Sequence, residues 1–351
     1  MGNYIEYDDK MAFHPGYYIK EIVEESGLTQ EDFAKRLDTT PKNLSLLIRG
    51  EQSLSIDISM KLSRMIGTSV SYWLNLQNAY DALIAEFKSK EELVQEREIF
   101  SFFDYKYFRE NFGLPDLSRK IDEQIIEVRR FLQVATLSVF KKRDMAVSFR
   151  SASKEISSAN IIKANAMVQI AINKALTLDA PKYNKTKFKE AVDYALSLTR
   201  RHEEFYPLIK NAFFEAGVIF VILPNLSGSK INGATKKLEK NVVLMVNDRR
   251  LNSDIFWFTL FHEIGHIIHS DYGISFEKEI GEKEEIADKF ASDSLINPEA
   301  YEKFVAEGVF TLESIQQFAN LIDRDPSSFS SGVKSVCGFF PTNSSTNSET
   351  T

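Results

Sequence analysis

Residues 254–269 read Asp-Ile-Phe-Trp-Phe-Thr-Leu-Phe-His-Glu-Ile-Gly-His-Ile-Ile-His, and this stretch constrains the chain more than any other. Ile255, Phe256, Trp257, Phe258, Leu260 and Phe261 are almost uninterrupted apolar residues, which predicts a helix buried on most sides. Such a helix has no use for two histidines and a glutamate unless they are paired or bind metal. In the His262-Glu263-Ile264-Gly265-His266 segment the two imidazoles stand at i and i+4, one turn apart on one face, where they can converge on one ion. Glu263 is offset around the helix, beside such an ion rather than on it, where a carboxylate can take a proton from metal-bound water. Three of the five histidines of the chain fall in this stretch. His269, at i+3 from His266, reads as a packing residue or a support to the ligands.

A site of this kind needs a third protein ligand and leaves one position open. The acidic segment Glu282-Lys283-Glu284-Glu285-Ile286-Ala287-Asp288 follows on a second predicted helix, whose apolar stripe is read as Ile286, Phe290 and Ala291. Glu284 is the candidate ligand and Glu285 its competitor, one residue round the helix. Asp288, at i+4 from Glu284, can accept from the outer N–H of a ligating histidine and fix its tautomer.

The 351 residues suffice for two or three domains. A net charge of −7 means that any contact with nucleic acid must come from a local patch. The single cysteine, Cys337, excludes a disulfide framework and fits a reducing cytoplasm. The acidic N-terminus lacks the apolar run of a signal peptide, and no apolar run approaches the roughly 20 residues of a membrane span. The expectation is a cytoplasmic protein without membrane contact.

Residues 1–82 read as a bundle of five short helices. His14-Pro15-Gly16 is expected to break the chain ahead of a first helix, Tyr17 to Ser26, ended by Gly27. Thr29 caps a second, Gln30 to Leu37, and Thr40 a third, with Pro41 at its first position, running to Arg49. Ser55 caps a fourth, which ends at Gly67, and a fifth starts near Ser69. The short turn between the second and third gives a helix-turn-helix layout. Leu44, Leu47 and Ile48 can pack inward. Lys42, Asn43, Ser45 and Arg49 then face out with Thr40 at the cap, and they are of the types used on base edges and phosphates. Gln30, at a helix N-terminus, is placed for a phosphate. Acidic side chains outnumber basic ones in this module, although the basic ones gather on its second and third helices.

Leu28-Thr29-Gln30-Glu31-Asp32-Phe33-Ala34-Lys35-Arg36-Leu37, Arg49-Gly50 and Met60-Lys61-Leu62-Ser63-Arg64 resemble the phage-repressor type of helix-turn-helix. His14-Pro15-Gly16 with Tyr72-Trp73-Leu74-Asn75-Leu76-Gln77 resembles its HigA antitoxin branch. The resemblance implies an operator-binding repressor domain acting as a homodimer on double-stranded DNA.

Residues 83–180 read as a helical connector, with an aromatic cluster from Phe100 to Phe108, a basic run Lys141-Lys142-Arg143 and a helix from Ser153 to Leu178. Residues 181–336 form the third part. Helices Lys185 to Arg200 and His202 to Ala216, with His202 at the surface, precede strands Val218 to Leu223 and Val242 to Val246. Residues 337–351, rich in Ser, Thr and Asn, read as a disordered tail. The fold class is therefore mainly α with a small β-sheet.

The Asn232-Gly233-Ala234-Thr235 segment, Phe256 to Glu263, Ala287-Asp288-Lys289-Phe290-Ala291 and Leu295-Ile296-Asn297-Pro298 resemble the ImmA/IrrE family of gluzincin-like metallo-endopeptidases. The resemblance implies a Zn²⁺ cofactor held by His262 and His266, Glu263 as general base, and a glutamate before Ala287 as third ligand. The family often has Glu directly before that Ala, where this chain has Ile286, so Glu284 and Glu285 both stand. Ile231 to Thr235 is the candidate edge strand for an extended peptide. Two functions follow. One is a DNA-binding regulator with a zinc endopeptidase domain that cleaves a partner protein, a repressor or itself. The other is a HigA-like antitoxin and autorepressor whose C-terminal domain only binds a toxin or a signal.

Overall fold

In the computed structural model the described residues are 4–7, 10–142, 145, 156–200, 204–248, 253–276 and 281–324. Arg143, His202, Cys337 and the tail from 337 lie outside them. The chain divides into two compact units, Met1–Gln95 and Glu96–Thr351.

The first unit opens with an antiparallel hairpin of β1 (Tyr4–Tyr7) and β2 (Lys10–Phe13), which the sequence reading did not include. Helix α1 spans Pro15–Glu25, so His14-Pro15-Gly16 begins this helix instead of breaking the chain. The reason is a cap: the His14 Nδ1 accepts from the Gly16 N–H at 3.0 Å, and Pro15 takes the N1 position, where its fixed φ suits the helix. Helices α2 (Gln30–Arg36), α3 (Pro41–Ile48) and α4 (Ile56–Ile66) each start at a hydroxyl cap, Thr29, Thr40 and Ser55, whose oxygen accepts the N–H three residues on. Asp38, with φ +52, makes the turn between α2 and α3. Phe33, Leu37, Leu44, Leu47, Leu62 and Trp73 fill the core, each fully buried aromatic contributing roughly 2–3 kcal/mol. The fifth helix, α5, runs unbroken from Val70 to Phe100 because no Gly or Pro interrupts it. The division between the units falls within it.

The second unit gathers α6 (Tyr105–Phe112), α7 (Ile121–Leu132), a 3-10 turn (Leu137–Lys141) and α8 (Ser158–Leu176). These helices are integral to this unit: α8 packs on the sheet described next, and the Tyr107 hydroxyl donates to the Pro224 carbonyl at 2.8 Å. After α9 (Lys185–Ser197) and α10 (Phe205–Glu215) come β3 (Val218–Leu223), β4 (Ile231–Lys237) and β5 (Val242–Asn247), then α11 (Ser253–Ile268), β6 (Ile274–Phe276), α12 (Glu282–Leu295), α13 (Pro298–Glu307) and α14 (Leu312–Leu321). The sheet order is β3-β5-β4-β6, with β3 parallel to β5 and β4 antiparallel to both neighbours. Val218, Phe220, Val242, Leu244 and Val246 share one core with Trp257, Leu260 and Phe261 of α11. The alternate residues Ile219, Val221, Val243 and Met245 are also buried, and α8 covers β3, β4 and β5.

The strand expected at the edge, Ile231 to Thr235, is internal. It lies in β4, paired with β5 on one side and β6 on the other, and the edge beside α11 belongs to β6. Three residues, Ile-Ser-Phe, are too few to announce a strand by alternation. Pairing slips between Ile231 and Gly233, leaving Asn232 as a bulged residue. Among the described residues no helix is long and apolar enough to cross a membrane.

Candidate metal centre and candidate DNA-binding helix

Helix α11 carries His262 and His266 on its buried face, one turn apart, and their Nε2 atoms stand 3.0 Å from each other. Glu284, in the first turn of α12, is buried against them. Its Oε2 lies 3.1 Å from His262 Nε2 and its Oε1 3.4 Å from His266 Nε2. Glu285 is exposed on the same helix. The buried face of α12 is Glu284, Ala287, Ala291 and Leu295. Ile286, expected in the apolar stripe, is 42% exposed. Small residues take its place because the two helices approach closely: a Cβ added at Gly265 would stand 3.3 Å from the Ala287 Cα.

The three donors suit a metal ion. A tetrahedral zinc site with bonds of about 2.0–2.1 Å has donor–donor separations of about 3.3 Å, and here the two Nε2 atoms stand 3.0 Å apart, with one Glu284 oxygen 3.1 Å from His262 Nε2 and the other 3.4 Å from His266 Nε2. Both outer ring nitrogens are engaged by carboxylates, His262 Nδ1 by Asp288 at 2.8 Å and His266 Nδ1 by Asp271 at 3.1 Å. With each Nδ1 held by a carboxylate, each Nε2 is the nitrogen that would give up its proton and turn a lone pair to the centre when an ion binds. Among the described residues His262, His266 and Glu284 form the one group of such side chains close enough to hold an ion, their donor atoms all within 4.8 Å of one another.

The electrostatics agree. Burial works against charge on His262, yet hydrogen bonds to Asp288 and Glu284 and the charges of Glu263 and Glu284 outweigh it and push the imidazolium up to about 10. Burial likewise favours the neutral acid at Glu284, but hydrogen bonds from His262 and His266 pull it down to about 2. The pocket favours a positive charge at its centre.

Glu263 is fully buried next to the donor triangle and is not part of it. Gly233 of β4 lies against it: a Cβ there would stand 2.6 Å from the Glu263 Cγ and Oε1. A cleft of about 160 Å³ opens on the site, lined by Asn232, Phe258, Thr259, Ser275 and Phe276 with His262, Glu284 and Asp288. His269 points elsewhere, its Nδ1 bonded to the Gly265 carbonyl at 2.7 Å and its ring edge-on to Phe290. The sequence offers no reading for Asp271 or Ser275, and it marks Asn232 and Gly233 only as part of the segment expected at the sheet edge. Only Gly233, beside a bulge-prone Asn-Gly, offered a local signal.

In the first unit α3 buries Leu44, Leu47 and Ile48 and leaves Lys42 exposed. Gln30 is exposed at the first position of α2. The Thr40 hydroxyl accepts the Asn43 N–H at 3.1 Å, and the Asn43 amide donates to Thr39 at 2.9 Å. Arg49, the C-cap of α3, donates to Ser45 at 2.8 Å and grips Glu51 at 2.8 and 3.1 Å. Lys35, Asp38, Thr39, Thr40, Lys42, Asn43 and Leu46 line a concave surface. Lys35 is paired with Glu31, whereas Arg36 and Lys42 carry no ion pair among the described residues.

Comparison with known proteins places both units. Residues 19–73 match the helix-turn-helix family. The HTH-type transcriptional regulator YddM of Escherichia coli is 39% identical over 79 residues, which are 22% of this chain and 84% of that protein. The chain belongs to the HTH-type transcriptional regulators. Virulence-associated protein I of Dichelobacter nodosus is 33% identical over 76 residues, 21% of this chain and 70% of its own length. Two solved structures also align with 24% of the chain and 92% of their own. One is an antidote protein of a plasmid maintenance system from Nostoc punctiforme (31% identity, TM-score 0.24). The other is a HigA-family addiction module antidote protein from Coxiella burnetii (29%, 0.22). Residues 219–321 match the peptidase family of the IrrE N-terminal-like domain, which spans α11, β6 and α12 and therefore the whole donor triangle. The regulator thus combines a DNA-binding helix-turn-helix unit with a peptidase-family unit in which His262, His266 and Glu284 are grouped as candidate metal ligands.

Proposed function

We propose that this regulator carries a working zinc endopeptidase in its second unit and cleaves a partner protein, a repressor or its own chain. The observation that carries this reading is the donor triangle of His262, His266 and Glu284 with the Glu263 carboxylate buried beside it. When bound there, zinc supplies Lewis acidity toward a water molecule and a peptide carbonyl. The residues of the chain do the rest. His262 and His266 present their Nε2 atoms and Glu284 its carboxylate. Asp288 and Asp271 hold the imidazoles in register. The Glu263 carboxylate takes up the proton of the attacking water and delivers it to the leaving nitrogen. An extended peptide pairs with the edge of β6, with Asn232, Phe258 and Phe276 around its side chains.

The first unit binds operator DNA through Gln30, Thr40, Lys42, Asn43, Ser45 and Arg49, as a cytoplasmic homodimer whose two recognition helices meet successive major grooves. Metal analysis of the purified protein tests the central claim. One zinc per chain is expected, lost in His262→Ala and kept in Glu263→Gln, with cleavage abolished in both. Absence of metal from the wild type, or cleavage by Glu263→Gln at the wild-type rate, refutes the endopeptidase. The former result leaves a toxin- or signal-binding module.

A further inference from the structure

We infer that Asp271, braced by Lys283, is the positioning residue for His266, and that of the two aspartates behind the histidines it matters more to metal binding than Asp288, which holds His262. The inference rests on the metal reading above. Asp271 lies just past α11, where Ser270, at φ +59, turns the chain back on the helix. Its backbone N–H donates to the His266 carbonyl at 2.8 Å, and its Oδ2 receives the His266 Nδ1 at 3.1 Å. The Lys283 ammonium donates to its other oxygen, Oδ1, at 2.7 Å. Lys283 directly precedes Glu284. The pair therefore ties the loop that orients one imidazole to the helix turn that supplies the third donor.

The two carboxylates behind the histidines are not equivalent. The Asp271 side chain is 13% exposed and the Asp288 side chain 55%. Water competes for Asp288 and screens it, whereas Asp271 acts in a low-dielectric setting where a charge-assisted hydrogen bond is stronger. Lys283 is 64% exposed, so its contribution is that of a surface pair, smaller than that of Asp271 itself.

The test is zinc affinity of the full chain, measured by competition with a chromophoric chelator, alongside the melting temperature of the chelator-stripped protein. Asp271→Ala is expected to weaken zinc binding about 10- to 100-fold. Asp288→Ala should weaken it less, and Lys283→Met about threefold. The stripped proteins should melt within a few degrees of wild type. In zinc-loaded wild type the His266 Nδ1–H should give a slowly exchanging, downfield NMR resonance, absent from Asp271→Ala. Wild-type zinc affinity in Asp271→Ala overturns the inference, as does a larger loss in Asp288→Ala. A loss in Asp271→Ala matched by collapse of the stripped protein reassigns Asp271 to packing and also overturns it. Should Asp271→Ala not fold, unchanged affinity in Lys283→Met overturns it. A wild type that binds no zinc sinks the metal reading itself, a result distinct from all of these.

Discussion

Replacing Gly233 with alanine should separate catalysis from metal binding. The added Cβ would fall 2.6 Å from the Glu263 Cγ and Oε1 and 2.7 Å from its Cδ. Ordinary contact begins at 3.4 Å, so the carboxylate must retreat by about 0.8 Å or the β4 backbone must move by as much. Glu263 is fully buried, and retreat means repacking against α11 and the sheet, at about 1–3 kcal/mol for an overpacked site. None of the nearest clashes involves His262, His266 or Glu284. Zinc stoichiometry should therefore stay at the wild-type value. A displacement approaching 1 Å of the group that moves the proton should slow cleavage on the order of 10- to 100-fold. Metal analysis, thermal denaturation and cleavage of a quenched fluorescent peptide or of the chain itself measure the three quantities. Wild-type cleavage with wild-type stability would show that Glu263 is not confined by β4. Loss of zinc would show that the clash propagates to the donors.

Other perturbations address other parts of the molecule. His262 has its imidazolium raised to about 10, above an ordinary histidine at 6.5. Its contribution to the stability of the stripped protein is thus complete below pH 6.5 and lost as pH rises through about 10. Zinc must displace that proton, so calorimetry in buffers of differing ionisation enthalpy should find about one proton released per zinc at pH 7, and affinity should rise about tenfold per pH unit toward 10. Glu51→Gln frees the Arg49 guanidinium. Non-specific DNA affinity should rise and the log–log salt slope steepen by about 1, and an unchanged slope in anisotropy titrations would mean that Arg49 does not reach a phosphate. Gly16→Ala places a Cβ 1.9 Å from the Leu47 carbonyl oxygen, a backbone atom that cannot step aside. The first unit should lose about 3 kcal/mol or more while zinc content holds, and wild-type melting would contradict the close approach of α1 to α3.

What could be read in advance followed from local chemistry. Thr29, Thr40 and Ser55 announce the starts of α2, α3 and α4 because a hydroxyl before an apolar-periodic run has a backbone N–H to satisfy. Histidine is a rarer cap, so His14 looked like part of a break. The union of the fifth helix and the expected connector was legible in the absence of Gly and Pro after Ser69, a signal that the charge runs obscured. The sheet order was not legible, since β6 is three residues long and its partner was fixed by folding rather than by pattern. The choice between Glu284 and Glu285 depends on how α12 is rotated against α11, a tertiary fact. Asp271 belongs to a loop with no period to place it.

That rotation has a physical origin in side-chain volume. α12 could bury Ile286, as its apolarity suggests, but a branched side chain there would hold the helices apart. Ala287, opposite Gly265, and Ala291, one turn further on the same buried face, let the backbones close instead, and the same rotation turns Glu284 inward and Glu285 and Ile286 out. The apolar area lost by exposing Ile286 is offset by contact between the two backbones and by the hydrogen bonds that Glu284 makes with the imidazoles. The small residues of the interface thus set how closely the Glu284 carboxylate approaches the two Nε2 atoms. A larger side chain at position 287 is therefore expected to widen the gap between α11 and α12 and carry the Glu284 carboxylate away from both Nε2 atoms.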